Sequence, residues 1–202
     1  MKNVCVYCGS NSGRDPAYTA TARDLANELA RRGYTLIYGG GNVGLMGVMA
    51  NTMLANGGKV IGVIPHQLAA LELAHEGLTE LHIVADMHER KAKMAALADV
   101  VIALPGGLGT MEELFEAMTW TQLGIHAKPC GLVNANGYYD HLVSFLDKTV
   151  EEQFVRAAHR KMLLVDADVA QLLDRLATAQ VPAERKWISD VPRAGSGAAE
   201  SR

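Results

Sequence analysis

The chain has 202 residues and a formal net charge of -3, with 49% hydrophobic and 20% charged residues. That composition is ordinary for a globular protein, and the length suits one domain of roughly 100–200 residues. It holds no basic field for a nucleic-acid backbone, and 5% aromatic residues make no base-stacking platform, so no nucleic-acid partner is expected. The apolar run Val4–Tyr7 is too short for a signal-peptide core, and no apolar stretch reaches the roughly 20 residues that span a bilayer. A cytoplasmic protein with no membrane partner is expected.

Short apolar runs alternate with amphipathic stretches along the chain. Val4–Cys8 reads as a strand. Pro16–Arg32 reads as a helix, capped by Asp15, with Pro16 at its first position and Gly33 beyond its end. Thr35–Tyr38 is a strand, Leu45–Asn56 a helix, and Lys59–Ile64 a strand stopped by Pro65. A short helix is predicted over Leu68–His75 and a short strand over His82–Val84. Then follow helix Met87–Ala98, strand Val100–Leu104, helix Met111–Leu123, strand Cys130–Val133, helix Tyr138–Phe154, strand Met162–Val165 and helix Val169–Ala177. Strands alternating with helices specify an α/β fold, a Rossmann-like doubly wound parallel sheet with helices on both faces. In such sheets ligands bind at the carboxyl ends of the strands, which selects the loops after Tyr7, Tyr38, Ile64 and Leu104.

Three cysteines build no disulfide framework. Cys5 and Cys8 have CxxC spacing, but in a strand positions three apart point to opposite faces, so both read as ordinary buried thiols, as does Cys130. Seven histidines are scattered, with no HExxH pair, and no metal is expected.

Two of the selected loops are rich in glycine. GGGNVGLMG, Gly39 to Gly47, carries a GxGxxG spacing between a strand and a helix. There Gly40 and Gly41 let the backbone approach a phosphate at the helix start. A dinucleotide fold also asks for an acidic residue about 20 positions on, at the end of the next strand. That strand runs instead into Pro65, His66 and Gln67. A dehydrogenase loses ground and a mononucleotide remains.

The second loop is PGGLGTMEE, Pro105 to Glu113. Thr110 suits a helix N-cap, and Glu113 three residues later completes a capping box. Glu112 and Glu116 suit the helix dipole. A cap does not account for Gly106, Gly107 and Gly109, whose density points to a phosphate cradle with the carboxylates farther along the ligand, beside a ribose. Residues 1–180 are thus expected to form a single nucleotide-binding Rossmann-like domain. Residues 181–202 form a C-terminal extension, expected to be mobile from about residue 189.

Asp86 and Glu89 form another capping box, before the helix that begins at Met87. On that helix Arg90 shares a stripe with Met87, Met94 and Leu97, which face the core, while Glu89 and Lys93 lie on the wet side. An arginine on an apolar stripe calls for an anion. Lys91 reads equally well as a surface charge.

With GGGNVGLMG, DMHERK from Asp86 to Lys91, PGGLGTMEE, TWTQLGIHAKP and NANGYYDHL, the chain resembles the Lonely Guy family of cytokinin-activating phosphoribohydrolases from Val4 to about Leu176. The resemblance implies hydrolysis of a cytokinin riboside 5'-monophosphate, or AMP, to a free N6-substituted adenine, or adenine, and ribose 5-phosphate. It implies a homodimer, a small-molecule nucleotide as partner, and no cofactor. The family's catalytic arginine and glutamate fall on Arg90 and Glu113. Its nucleotide contacts fall on Glu72, Lys91, Gly107, Leu108, Gly109, Thr110, Met111, Glu112 and Thr119. Plant members carry tyrosine where this chain has Leu108, which puts a preference for a prenylated base in doubt. Relatives are often labelled lysine decarboxylases, but nothing in the sequence marks a pyridoxal phosphate lysine. Met46, Met49 and Met53 suit a dimer interface and core packing equally well. Two rival readings are a non-catalytic AMP sensor and a dinucleotide-dependent oxidoreductase.

Overall fold

The computed structural model describes residues 1–71 and 74–181. Glu72 and the extension from residue 182 onward, including the stretch expected to be mobile from about 189, lie outside the described residues. In chain order the elements are β1 (Asn3–Tyr7), α1 (Pro16–Arg31), β2 (Thr35–Tyr38), α2 (Gly44–Ala55), β3 (Lys59–Pro65), α3 (His66–Ala69), β4 (Glu80–Val84) and α4 (Met87–Leu97). They continue as β5 (Val100–Ala103), α5 (Leu108–Leu123), β6 (Cys130–Val133), α6 (Asp140–Glu151), α7 (Ala157–Arg160), β7 (Leu163–Asp166) and α8 (Val169–Thr178).

The seven strands form one sheet in the order β4-β3-β2-β1-β5-β6-β7, and every pair is parallel. Parallel neighbours need crossovers, and the helices supply them on both faces. The strand residues divide between two cores with a period of two. Val4, Val6, Leu36, Tyr38, Val100 and Ile102 pack with α1, α2 and α8. Cys5, Tyr7, Ile37, Val101 and Ala103 pack with α4, α5 and α6. Cys5 and Cys8 accordingly belong to opposite sides, and all three cysteines are free thiols. Met49 and Met53 are fully buried in the first core, while Met46 packs at its edge. Among the described residues no helix is long and apolar enough to cross a membrane.

From β1 the chain winds outward to β4, then returns to place β5 on the other side of β1. The topological switch lies between β1 and β5, where a crevice opens at the carboxyl ends of the strands.

Several boundaries differ from the sequence reading for local reasons. The predicted helix Leu68–His75 is cut to His66–Ala69, because Ala74 bridges Gly41 and the His75 amide donates to the Gly40 carbonyl. Those bonds hold the backbone there against the glycine loop. Helix α6 starts two residues later than expected, after a 3-10 turn at Ala135–Gly137, and it ends before Gln153, which has a positive φ of 63°. The single-turn α7 has no hydrophobic repeat of its own and went unseen in the sequence.

Candidate active site

A cavity of about 440 Å³ lies at the switch point. Its wall comes from four loops: Cys8, Gly9 and Ser10 after β1, Gly39, Gly41 and Val43 after β2, Ile64 and Leu68 at the end of β3, and Gly107 to Thr110 at the start of α5. Met87 and Arg90 from α4 and Glu112 and Glu113 from α5 close it. These are the loops that the parallel-sheet rule selects.

Helix α4 is fixed at its N-terminus as the sequence indicates. The Asp86 carboxylate accepts from the His88 and Glu89 amides, at 2.8 and 2.9 Å. Glu89 reaches back one residue farther than the standard box, to the Ala85 amide at 2.7 Å. This start turns Met94 into the core and carries Arg90 to the cavity. The anion that Arg90 requires is Glu113: Nη1 stands 2.9 Å from Oε1, with both side chains largely buried. The guanidinium is further held by its Nε donating to the Val63 carbonyl at 3.2 Å. Gly39 makes room for it, since a Cβ there would lie 2.1 Å from Arg90 Nη2.

The capping box expected at Thr110 and Glu113 does not form. Helix α5 begins at Leu108 with Gly107 as its N-cap, so Thr110 lies inside the first turn with its hydroxyl against Gly106. The extended backbone at Gly107 lets the helix start earlier than a threonine cap would allow. Starting there, α5 turns Glu113 inward rather than back toward its own first amides. Arg90 lies out of line for a hydrogen bond, and Glu113 Oε1 accepts none. Burial pushes the Glu113 carboxyl above the usual carboxylate range, and the Arg90 charge opposes that shift. Glu113 lines the cavity, while its Oε1 is enclosed against Arg90.

At the head of α5, Met111 donates the first intrahelical bond, to the Gly107 carbonyl. The amides of Leu108, Gly109 and Thr110 precede it and stand at the positive end of the helix dipole, beside the cavity. Leu108 projects at the rim and is 86% exposed. With Val43, Leu68 and Met87 it gives the mouth an apolar lip.

The remaining expected contacts fall elsewhere. Gly40 is buried and lines no part of this cavity; its carbonyl anchors His75. Met111 is half-buried off the cavity wall, and Thr119 is exposed with its hydroxyl donating to the Phe115 carbonyl. Lys91 is buried behind the cavity wall, paired with the lining Glu112 and with Glu116. Cys8, Gly9 and Ser10 line the cavity although no local motif marks them. The strand order alone points to their loop.

The model of the family described as possible lysine decarboxylase matches residues 46–176. The chain is 49% identical over 176 residues to the cytokinin riboside 5'-monophosphate phosphoribohydrolase LOG7 of Arabidopsis thaliana, covering 87% of this chain and 81% of the relative. It is 48% identical to the probable enzyme of the same name, LOGL3, of Oryza sativa subsp. japonica, covering 87% and 83%. Among solved structures, the fold is like that of the molybdenum cofactor binding protein of Rippkaea orientalis, with a TM-score of 0.67, 20% identity and coverage of 88% of this chain and 96% of that one. The molybdenum cofactor carrier protein of Chlamydomonas reinhardtii gives a TM-score of 0.68 at 20% identity, with coverage of 89% and 99%. At that identity the likeness extends to the fold alone. Identity of nearly half to the plant enzymes across 87% of the chain, together with the family model, places this chain in the Lonely Guy family.

Proposed function

We propose that the chain hydrolyses the N-glycosidic bond of cytokinin riboside 5'-monophosphates, and of AMP, releasing the free N6-substituted adenine, or adenine, and ribose 5-phosphate. The observation that carries this reading is the buried Arg90–Glu113 pair facing the cavity at the switch point, beside the open amides of α5. The identity to plant phosphoribohydrolases supports it.

The phosphate sits at Leu108–Thr110, where helix amides and dipole favour an anion. The ribose lies toward Glu113, and the base leaves along the lip of Val43, Leu68, Met87 and Leu108. Cleavage of an N-ribosidic bond builds positive charge on the sugar, as in glycoside hydrolysis. The Glu113 carboxylate faces that charge and orients the attacking water or a ribose hydroxyl, while its Oε1 is held against Arg90. The Arg90 guanidinium offers a fixed fork of donors suited to holding oxygens rather than to giving up a proton. It therefore acts as an anchor for ligand oxygens and for Glu113, not as a proton donor. The end of β3 supplies no acidic side chain for a second ribose, in keeping with a mononucleotide. A homodimer in the cytoplasm belongs to the same reading; light scattering and cell fractionation check those two points.

The test is direct. The protein is mixed with AMP or with isopentenyladenosine 5'-monophosphate, and ribose 5-phosphate is assayed. Release from either supports hydrolysis. Binding of both nucleotides without release identifies a sensor and overturns the proposal.

A further inference from the structure

The segment NANGYYDHL, from Asn134 to Leu142, takes no part in the main cavity wall, yet it is tied to the loop that leads into α5. Its turn is built locally. Asn136 and Gly137 have positive φ, 48° and 70°. The Asn134 carboxamide accepts from the Tyr139 amide at 2.8 Å and donates to Asp140 Oδ1 at 2.7 Å. Asn136 Nδ2 donates to Asp15, the cap of α1, at 2.8 Å. The turn so fixed sets two tyrosines against the loop after β5. Tyr138 Oη donates to the Gly106 carbonyl at 2.7 Å, and Tyr139 Oη donates to the Leu104 carbonyl at 2.8 Å. The Tyr138 ring packs edge-on with Tyr18 and Tyr139, with centroids 5.4 and 4.7 Å away.

The two bonds are alike in length and differ in what they control. A trans peptide carries its C=O and N–H on opposite edges, so a pinned carbonyl also aims the amide that follows it. After the Leu104 carbonyl comes Pro105, which has no N–H. After the Gly106 carbonyl comes the Gly107 amide, which makes no hydrogen bond among the described residues. Gly107 is the N-cap of α5 and borders two cavities. One is the main cavity; the other is a neighbour of about 240 Å³, lined by Gly106 and Tyr138. Two successive glycines leave their shared peptide free to rotate, so a bond from outside the loop is needed to hold it.

We propose that Tyr138 is a positioning residue for the phosphate: by pinning the Gly106 carbonyl on the side of the smaller cavity, its hydroxyl turns the Gly107 amide toward the main one, as a further donor beside the amides of Leu108–Thr110. The proposal rests on the placement of the phosphate at the head of α5, and it assigns Tyr138 no contact with the nucleotide.

Binding is read by amide NMR titration with ribose 5-phosphate and, separately, with adenine, which has no phosphate. In the wild type, ribose 5-phosphate shifts the Gly107 amide together with those of Leu108–Thr110. Tyr138→Phe removes only the hydroxyl from a partly exposed ring. It weakens ribose 5-phosphate roughly three- to tenfold, as loss of one hydrogen bond does, while adenine stays within about twofold. With AMP, KM rises by the same factor and kcat holds within about twofold, since the amide binds ground state and transition state alike. Tyr139→Phe is the matched control: it lowers Tm by taking the partner from the buried Leu104 carbonyl, but ribose 5-phosphate binds within about twofold of the wild type. Equal weakening of ribose 5-phosphate and adenine in Tyr138→Phe, or a matching loss in Tyr139→Phe, marks a general loosening of the loop and overturns the proposal. Should Tyr138→Phe not fold, the wild type decides: an unmoved Gly107 amide while those of Leu108–Thr110 shift overturns it as well. No shift anywhere from Gly107 to Thr110 removes the phosphate placement and the proposal with it. The expected shifts without release of ribose 5-phosphate from AMP leave the role of Tyr138 standing and overturn the hydrolase reading alone.

Discussion

In the loop after β2, a Cβ at Gly39 would stand 2.1 Å from Arg90 Nη2, and one at Gly44 would stand 2.3 Å from the Ser10 carbonyl carbon. In the loop after β5, a Cβ at Gly107 or Gly109 would meet nothing within 4 Å. Both loops are glycine-rich and both join a strand to a helix. In the first, the glycines are demanded by the protein's own packing: the backbone of the β1 loop and the Arg90 side chain occupy the space. In the second, two glycines leave space that the protein does not fill. Room kept at a helix N-terminus, on a cavity wall, is what a bound phosphate needs. Gly106 is the exception in that loop, since a Cβ there would lie 2.1 Å from Thr110 Oγ1 and 2.9 Å from the Gly9 nitrogen.

This contrast is open to test by substitution. The largest effect is expected at the end of the second loop: Glu113→Gln lowers kcat by about 100- to 10,000-fold with little change in fold, as removal of a carboxylate acting in the transition state does. Full turnover in a folded variant removes Glu113 from the chemistry. Gly44→Ala comes next. Gly44 has a φ of 56° and backbone at 2.3 Å, so strain and overpacking together cost about 3 kcal/mol or more. On a chain this long that lowers Tm by about 6–12 °C, and calorimetry reads it. Gly106→Ala must displace the Thr110 hydroxyl and crowd the Gly9 nitrogen, at a cost of about 1–3 kcal/mol. The smallest effect has the opposite sign. Gly109→Ala, in the first turn of α5 with open space around it, stabilises by up to about 1 kcal/mol while raising KM for the nucleotide several-fold. Loss of stability in Gly109→Ala, or tolerance of Gly44→Ala, breaks the distinction between the loops.

Glu113 also ties the contrast to pH. Its proton affinity is raised by burial, and the proposed reaction uses the carboxylate. Activity is therefore lost on acidification at a pH above that of an ordinary glutamate.

Much of this molecule is legible in the residues. Val4–Tyr7 and Val100–Ala103 are continuously apolar because parallel strands are covered on both faces, and that reads directly as a doubly wound sheet. Asp86 caps α4 by accepting from the His88 and Glu89 amides, an interaction within four residues that spacing reveals. The stripe on α4 shows that Arg90 needs an anion. None of these features needs the rest of the chain.

What remained for the tertiary structure involves residues distant in sequence. Thr110 and Glu113 satisfy the spacing of a capping box, yet Glu113 pairs with Arg90, 23 positions away, because α4 and α5 pack side by side on one face of the sheet. Lys91 reads as a surface charge until Glu112 and Glu116 meet it from α5. His75 leaves its expected helix because the Gly40 carbonyl takes its amide. The sequence by itself determined the alternation of elements and the chemical types in the loops, since periodicity and capping are local. Only the packed structure decided which charges neutralise one another and which glycines leave room, since both depend on what the strand order brings alongside.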